Sequence, residues 1–125
     1  MNILIVDDTE ISLTIAKMFI EFVLPGQNIE FANNAKQALE KTNATKYSFI
    51  FTDLCMPVMN GDLLAKEIVT TDNKSKNARI FICSSREPLE HEEENVKLYC
   101  EDFLHKPLTA GHMQNIFSNL LLEDE

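Results

Sequence analysis

The sequence has no tryptophan and little glycine, proline or cysteine, with 3, 4 and 3 residues of these types in 125. Its three cysteines, Cys55, Cys83 and Cys100, lack metal-site spacing, and an odd number without a framework argues against disulfides. The net charge of −9 argues against a nucleic-acid surface. No apolar run approaches the ~18 residues of a membrane span, and no secretion signal opens the chain. These absences predict a cytoplasmic protein with reduced thiols and no membrane or nucleic-acid partner.

The most informative stretch is an apolar run over residues 3–6 that leads directly into Asp7 and Asp8. So short a run predicts a strand buried on both faces, as in a parallel sheet. Ligands of open α/β sheets bind at the carboxyl ends of such strands. A simpler interpretation is that Asp8 or Thr9 only caps the next helix. This stretch alone leaves both interpretations open.

Five predicted strands alternate with five predicted helices, in a chain with the length and composition of one globular domain. The strands cover residues 3–6, 29–32, 49–52, 80–83 and 102–105. The helices cover residues 9–24, 35–45, 62–71, 87–98 and 110–122. This alternation predicts a parallel sheet with helices on both faces, and right-handed crossovers point all strands one way.

Three of the predicted helices carry specific side-chain expectations. The first shows apolar residues at helical spacing, namely Ile15, Met18, Phe19 and Phe22. The acidic residues of the fourth, Glu90, Glu92, Glu93 and Glu94, are interpreted as a solvated face. Thr109 is expected to cap the last helix, which should bury Met113, Ile116, Phe117, Leu120 and Leu121.

Polar residues follow four of the predicted strands and should meet at one edge of the sheet: Asp7 with Asp8, then Asp53, Ser84 and Lys106. Clustered carboxylates would repel by about 4 kcal/mol per pair at ~4 Å with an effective dielectric of ~20. A hard divalent cation relieves that repulsion, and oxygen ligands favour Mg²⁺, Mn²⁺ or Ca²⁺. With a lysine and a hydroxyl beside it, such a site suits phosphoryl transfer onto a carboxylate.

These motifs together resemble the receiver domain of a two-component response regulator. The matching segments are residues 3–8, 52–61, 84–85 and 102–107, which occur in the family's order and span essentially the whole chain. The resemblance implies that residues 1–125 form one receiver domain with the flavodoxin-like doubly wound fold. It also implies five parallel strands in the order 2-1-3-4-5 and five helices.

The resemblance assigns a role to each residue of the acidic site. Asp53 would be the phosphorylated aspartate. Mg²⁺, or Mn²⁺ in its place, would bind the side chains of Asp8 and Asp53 and the backbone carbonyl of Cys55. Asp7 would assist through a bound water, and Lys106 would pair with the phosphoryl group.

The resemblance also assigns a switch. Ser84 would be its hydroxyl and Phe103 the aromatic ring that turns with it. An ordinary core ring is an equally supported interpretation of Phe103. The bond from Lys106 to Pro107 would be cis. Arg86 flanks the site and is interpreted either as a cover over the phosphoryl group or as a solvated surface arginine.

Three positions depart from the common family pattern. Ser84 stands where threonine is more frequent, Ser85 where a small apolar residue is common, and Tyr99 where many relatives have glycine. Glycine at the last position would supply a left-handed helix end, so the end of the fourth helix is the least defined element.

The expected function is a signalling module rather than an enzyme with a separate substrate. Asp53 would receive a phosphoryl group from a histidine kinase or histidine phosphotransfer domain. A downstream protein would then bind through the fourth helix, fifth strand and last helix. A single-domain regulator, a relay intermediate and an excised receiver remain open, as do monomer and dimer. Two other classes also remain: an aspartate-nucleophile phosphohydrolase and a phosphorylation-independent scaffold.

Overall fold

The computed structural model describes residues 1–123, with side-chain surroundings through residue 119. Its strands are β1 (Asn2–Val6), β2 (Asn28–Ala32), β3 (Phe49–Asp53), β4 (Arg79–Ser84) and β5 (Asp102–His105). Its helices are α1 (Glu10–Val23), α2 (Ala35–Ala44), α3 (Gly61–Thr70), α4 (Glu90–Tyr99) and α5 (Ala110–Glu123). All strand pairs are parallel, in the order β2-β1-β3-β4-β5. The predicted fold class and strand order are confirmed.

Two apolar layers cover the sheet, because successive side chains of a strand point to opposite faces. Ile3 and Ile5 pack with α1 and α5. Leu4 and Val6 pack with α2, α3 and α4 on the other face. On the α1 and α5 side, the rings of Phe49, Phe51, Phe81 and Phe117 contact one another.

The strand register brings the carboxyl ends of four strands to one edge. Val6 lies opposite Thr52, and Asp53 lies opposite Cys83 on the next strand. Ser84 in turn lies opposite His105, the residue before Lys106. The polar residues that follow these strands therefore lie side by side.

Helix α1 buries a different face from the one that its helical spacing first suggested. Its buried residues are Leu13, Ala16 and Ile20. Ile15, Met18 and Phe22 are exposed, as is Ile11, while Phe19 is partly buried. Apolar residues surround most of this helix, so periodicity indicated a helix without fixing which face meets the sheet.

Helix α4 differs from its prediction at both ends. It begins at Glu90 rather than Glu87, so Pro88 lies before the helix. It ends at Tyr99, and Cys100 is extended with φ −123°, so no left-handed residue is needed there. Glu90, Glu93 and Glu94 are exposed as expected, but Glu92 is buried with 1% exposure. The solvated-face interpretation is wrong for that residue.

Helix α5 begins as predicted. The backbone N–H of His112 donates to Thr109 Oγ1 at 3.2 Å, and His112 Nδ1 accepts from the Thr109 N–H at 3.1 Å. Met113, Ile116 and Phe117 are buried. The predicted burial of Leu120 and Leu121 falls outside the described side chains. Within residues 1–123, no helix has the length and apolar character needed to cross a bilayer.

Candidate functional site

Asp7 and Lys106 form the fixed centre of the polar edge. Asp7 is buried, and its Oδ1 accepts hydrogen bonds from the Thr9 N–H at 3.0 Å and the Thr9 hydroxyl at 3.2 Å. Its Oδ2 accepts from Lys106 Nζ at 2.9 Å. Thr9 is the N-cap residue of α1 but makes no side-chain capping bond. The capping interpretation of Asp8 and Thr9 is therefore wrong, because the Thr9 hydroxyl binds Asp7 instead.

Lys106 also contacts the second strand end. Its Nζ lies 3.3 Å from Asp53 Oδ1, so one ammonium pairs with two carboxylates. Burial alone lowers the pKa of Lys106, but the hydrogen bond and charge of Asp7 and the charge of Asp53 outweigh it and raise that pKa. The Lys106–Pro107 peptide bond is cis, as the resemblance implies. The backbone N–H of Lys106 donates to the Ser84 carbonyl at 2.8 Å, which connects the end of β5 to the end of β4.

Burial and the neighbouring carboxylates oppose the negative charge of Asp53. Burial raises its pKa, the Lys106 ammonium lowers it, and the Asp7 carboxylate raises it again, with a net upward shift. Ionisation of Asp53 is therefore less favourable in the folded protein than for a free aspartate, and added positive charge would favour it.

Asp8 completes an oxygen cluster at this edge. One carboxylate oxygen from each of Asp7, Asp8 and Asp53 lies within 4.8 Å of the others, and Asp8 is exposed to solvent. Three hard oxygen donors of like charge suit a divalent cation such as Mg²⁺. The residues present therefore fit the expected ion.

The loop after β3 supports Asp53 from behind. Asn60 accepts a bond from the Met56 N–H at 3.4 Å, and the Gly61 N–H donates to the Leu54 carbonyl at 2.8 Å. A Cβ at Gly61 would overlap the backbone carbonyl oxygen of Asp53 and come within 3.2 Å of Thr52 Oγ1. Glycine is required here by this close approach, and α3 can therefore start directly against the strand end.

The two predicted switch residues lie on neighbouring strands, Ser84 at the end of β4 and Phe103 in β5. Ser84 is buried, and its hydroxyl oxygen accepts from the Arg86 N–H at 3.1 Å. Phe103 is half-buried against the α2, α3 and α4 core layer, and its ring meets that of His105 edge-on at 5.0 Å. Phe103 is thus neither a fully buried core ring nor a fully exposed side chain.

Arg86 is partly exposed, with 40% of its side chain accessible, but its guanidinium binds protein groups. Its Nη1 and Nη2 donate to Glu92 Oε1 and Oε2 at 2.8 and 2.9 Å, and its Nε lies 3.2 Å from Cys55 Sγ. The sequence placed Glu92 on a solvated face and did not indicate that it pairs with Arg86. A glutamate three residues after a helix N-cap was the available signal, since Glu92 Oε1 accepts from the Leu89 N–H at 2.8 Å.

The fold and the site define a class: a doubly wound α/β protein with an acidic oxygen cluster and a lysine at the carboxyl edge of its sheet. The family described as response regulator receiver domain matches residues 3–118. The chain belongs to this family and is a receiver of two-component signal transduction.

Individual relatives agree with that assignment. The chain is 32% identical over 115 residues to the chemotaxis protein CheY of Thermotoga maritima, with 90% of each chain covered. It is 29% identical over 120 residues to the sensor kinase/phosphatase LuxN of Vibrio campbellii, covering 96% of this chain and 13% of LuxN. The chain spans only part of the length of several curated relatives: a little more than half of one and much less of others.

A solved structure supports the fold independently. The crystal structure of a CheY-like receiver domain protein from Methanospirillum hungatei superimposes with a TM-score of 0.83 at 22% identity, covering 98% of this chain and 94% of that one.

Proposed function

We propose that residues 1–125 form one receiver domain in which Asp53 accepts a phosphoryl group from a phosphohistidine of a kinase or phosphotransfer domain. The Lys106 ammonium carries this proposal, because it contacts both Asp7 and Asp53, at 2.9 and 3.3 Å. A lysine ammonium is a point charge that suits a phosphoryl oxygen as well as a carboxylate. Lys106 can therefore neutralise a phosphoryl group that arrives on Asp53.

In the transfer, an ionised oxygen of Asp53 attacks phosphorus and forms the new P–O bond. The P–N bond to the donor imidazole breaks, and the imidazole keeps the bonding electron pair and is then protonated. Asp53 must be ionised to attack, and Lys106 favours that form against the burial that raises its pKa. Positioning and charge neutralisation supply most of the catalysis in reactions of this type.

The same proposal assigns the metal ligands. The side chains of Asp8 and Asp53 and the backbone carbonyl of Cys55 would hold Mg²⁺, or Mn²⁺ in its place, and Asp7 would contribute through a water. Exposed Asp8 and buried Asp7 support this division, since an ion enters from solvent. When bound, the ion neutralises charge on the carboxylates and on the phosphoryl oxygens.

We further propose that phosphorylation reaches a partner through Ser84 and Phe103. The Ser84 hydroxyl would turn to donate to a phosphoryl oxygen, and Phe103 would move into the space that this leaves. The responsive surface would consist of α4, β5 and α5. A cleft of about 410 Å³ between α4 and β5 has Phe103 and His105 in its wall, which supports the α4 and β5 part of this surface. Three free cysteines are consistent with a cytoplasmic setting.

The direct experiment is incubation with acetyl phosphate and Mg²⁺, followed by mass-spectrometric mapping of the modified residue. We expect one phosphoryl group on Asp53, and none in Asp53→Asn. Asp72→Asn is the matched control, because Asp72 is exposed and outside the site. Modification at another residue, or none in the wild type, would contradict the proposal.

The two other classes have weaker support. Aspartate-nucleophile phosphohydrolases carry a second acid two residues after the nucleophile, where this chain has Cys55 in contact with Arg86. We therefore propose that the chemistry is limited to gain and loss of the phosphoryl group on the chain itself. A scaffold that ignores phosphorylation would have no use for three clustered carboxylates, because their mutual repulsion costs stability.

A further inference from the structure

Glu92 is a buried carboxylate that the proposed chemistry leaves unused. It lies in the first turn of α4 with 1% exposure, while its neighbours Glu90, Glu93 and Glu94 are exposed. Removing a carboxylate from water is costly unless charged and hydrogen-bonding partners replace the water. The partners of Glu92 therefore indicate what its burial achieves.

Those partners come from two loops. Both oxygens bind the Arg86 guanidinium, at 2.8 and 2.9 Å, in a bidentate pair. The Leu89 N–H donates to Oε1 at 2.8 Å, and Asn60 Nδ2 donates to Oε2 at 3.3 Å. The hydrogen bonds from Arg86 are the main cause that lowers the pKa of Glu92, so the pair is ionised at neutral pH. Glu92 thus joins the loop after β4 to the loop after β3.

Arg86 also contacts the loop after β3, which follows Asp53. Its Nε lies 3.2 Å from Cys55 Sγ, and Cys55 is the second residue after Asp53. Its Nη1 also donates to the Glu87 carbonyl at 2.9 Å, and its backbone N–H binds Ser84 Oγ. The guanidinium is therefore held in one orientation between Glu92 and the residue that flanks Asp53.

We propose that Glu92 is a positioning residue that holds the Arg86 guanidinium beside Cys55, where it restricts the approach of water to phosphorylated Asp53. This inference rests on the proposed function. An arginine without a fixed partner samples many rotamers, so it would cover the approach to Asp53 only part of the time. Glu92 also neutralises the charge by which a free guanidinium would assist hydrolysis, as arginine fingers do. Both effects lengthen the life of the phosphoryl group.

The test is a double-mutant cycle on the decay of phosphorylated protein at fixed Mg²⁺. Glu92→Gln keeps the side chain's shape but loses the ion pair, and we expect it to lose phosphate faster than the wild type. Arg86→Ala should also decay faster. The double variant should decay at the rate of Arg86→Ala alone, a ratio of about 1, because coupled residues are not additive. Glu93→Gln, an exposed change on the same helix, should match the wild type.

A spectroscopic measurement follows the arginine itself. The only other arginine in the chain is Arg79, so the Nε–Hε NMR signal of Arg86 can be assigned. We expect a sharp signal in unphosphorylated wild type that moves to the position of a solvated arginine in Glu92→Gln and stays in place in Glu93→Gln. A purely structural role of Glu92 would lower the urea midpoint without this selective shift.

Two results would overturn the inference while leaving the proposed function intact. One is that Glu92→Gln loses its phosphoryl group at the same rate as the wild type. The other is a further acceleration by Glu92→Gln when Arg86 is already alanine, because Glu92 would then act without the arginine. If the wild type takes no phosphoryl group on Asp53, the proposed function and this inference both fail. That outcome is recognised before any variant is compared.

Discussion

Asp53→Asn should make the protein more stable when no divalent ion is present. Carboxylate oxygens within 4.8 Å of one another repel by about 3.5 kcal/mol per pair at an effective dielectric of ~20, less for exposed Asp8. Lys106 Nζ at 3.3 Å returns an attraction of about 5 kcal/mol on the same scale. These charges nearly cancel, so the lost hydration of Asp53 decides the sign. We expect the free energy of unfolding at pH 7 to rise by about 1–2 kcal/mol.

The pH dependence of this gain has a defined sign. The pKa of Asp53 is raised in the folded protein from its ordinary value of 3.8, so the folded state holds the proton more tightly than the unfolded chain. The wild type therefore loses stability as pH rises through the raised pKa. The advantage of Asp53→Asn should be full at pH 7 and shrink to zero as the pH falls below 3.8.

Mg²⁺ should reduce or reverse the difference in the free energy of unfolding between Asp53→Asn and the wild type. A ligand at 100 times its dissociation constant stabilises the protein that binds it by about 2.7 kcal/mol. The variant lacks one of the proposed carboxylate ligands and should gain less. Urea unfolding followed by far-ultraviolet circular dichroism, with and without Mg²⁺, measures both effects, and Asp72→Asn is the control. Lower stability of Asp53→Asn without Mg²⁺, or an equal gain from Mg²⁺ in both proteins, would refute the reasoning.

Three further predictions concern single positions. Asp8→Asn should weaken Mg²⁺ binding in an NMR titration and slow phosphorylation by acetyl phosphate; an unchanged Mg²⁺ affinity would exclude Asp8 as a ligand. Ser84→Ala should still accept the phosphoryl group but lose the chemical-shift response around Phe103, Leu108 and Met113, and a full response would remove the role of the hydroxyl. Gly61→Ala should lower the free energy of unfolding by about 1–3 kcal/mol, because its Cβ overlaps the Asp53 carbonyl. Gly111→Ala, where a Cβ meets only ordinary contact at 3.5 Å, should not, and equal losses would contradict the steric argument.

The positions of the site residues could be predicted because they depend only on where the strands end and on the strands being parallel. Short apolar runs gave the strands, and parallel strands connected by right-handed crossovers end at one edge. Asp7, Asp53, Ser84 and Lys106 each follow a predicted strand directly, so an error of one or two residues in a boundary would not have separated them.

The face that α1 buries and the burial of Glu92 could not be obtained in this way. Leu13 and Ile15 are both apolar, and only the packing of α1 against α5 and the sheet selects between their faces. Glu92 is buried because Arg86 and Asn60, from two different loops, meet it in space. Such a meeting depends on loop conformations that periodicity does not describe.

The three thiols differ in a way that supplies a label at the site. Burial raises the pKa of Cys83 and of Cys100 to about 12, which leaves those sulfurs protonated and unreactive at neutral pH. Cys55 is exposed and is the second residue after Asp53. A thiol-reactive fluorophore or nitroxide should therefore attach to Cys55 in the unaltered chain. In a protein without tryptophan, that single probe would report ion binding and phosphorylation from two residues away.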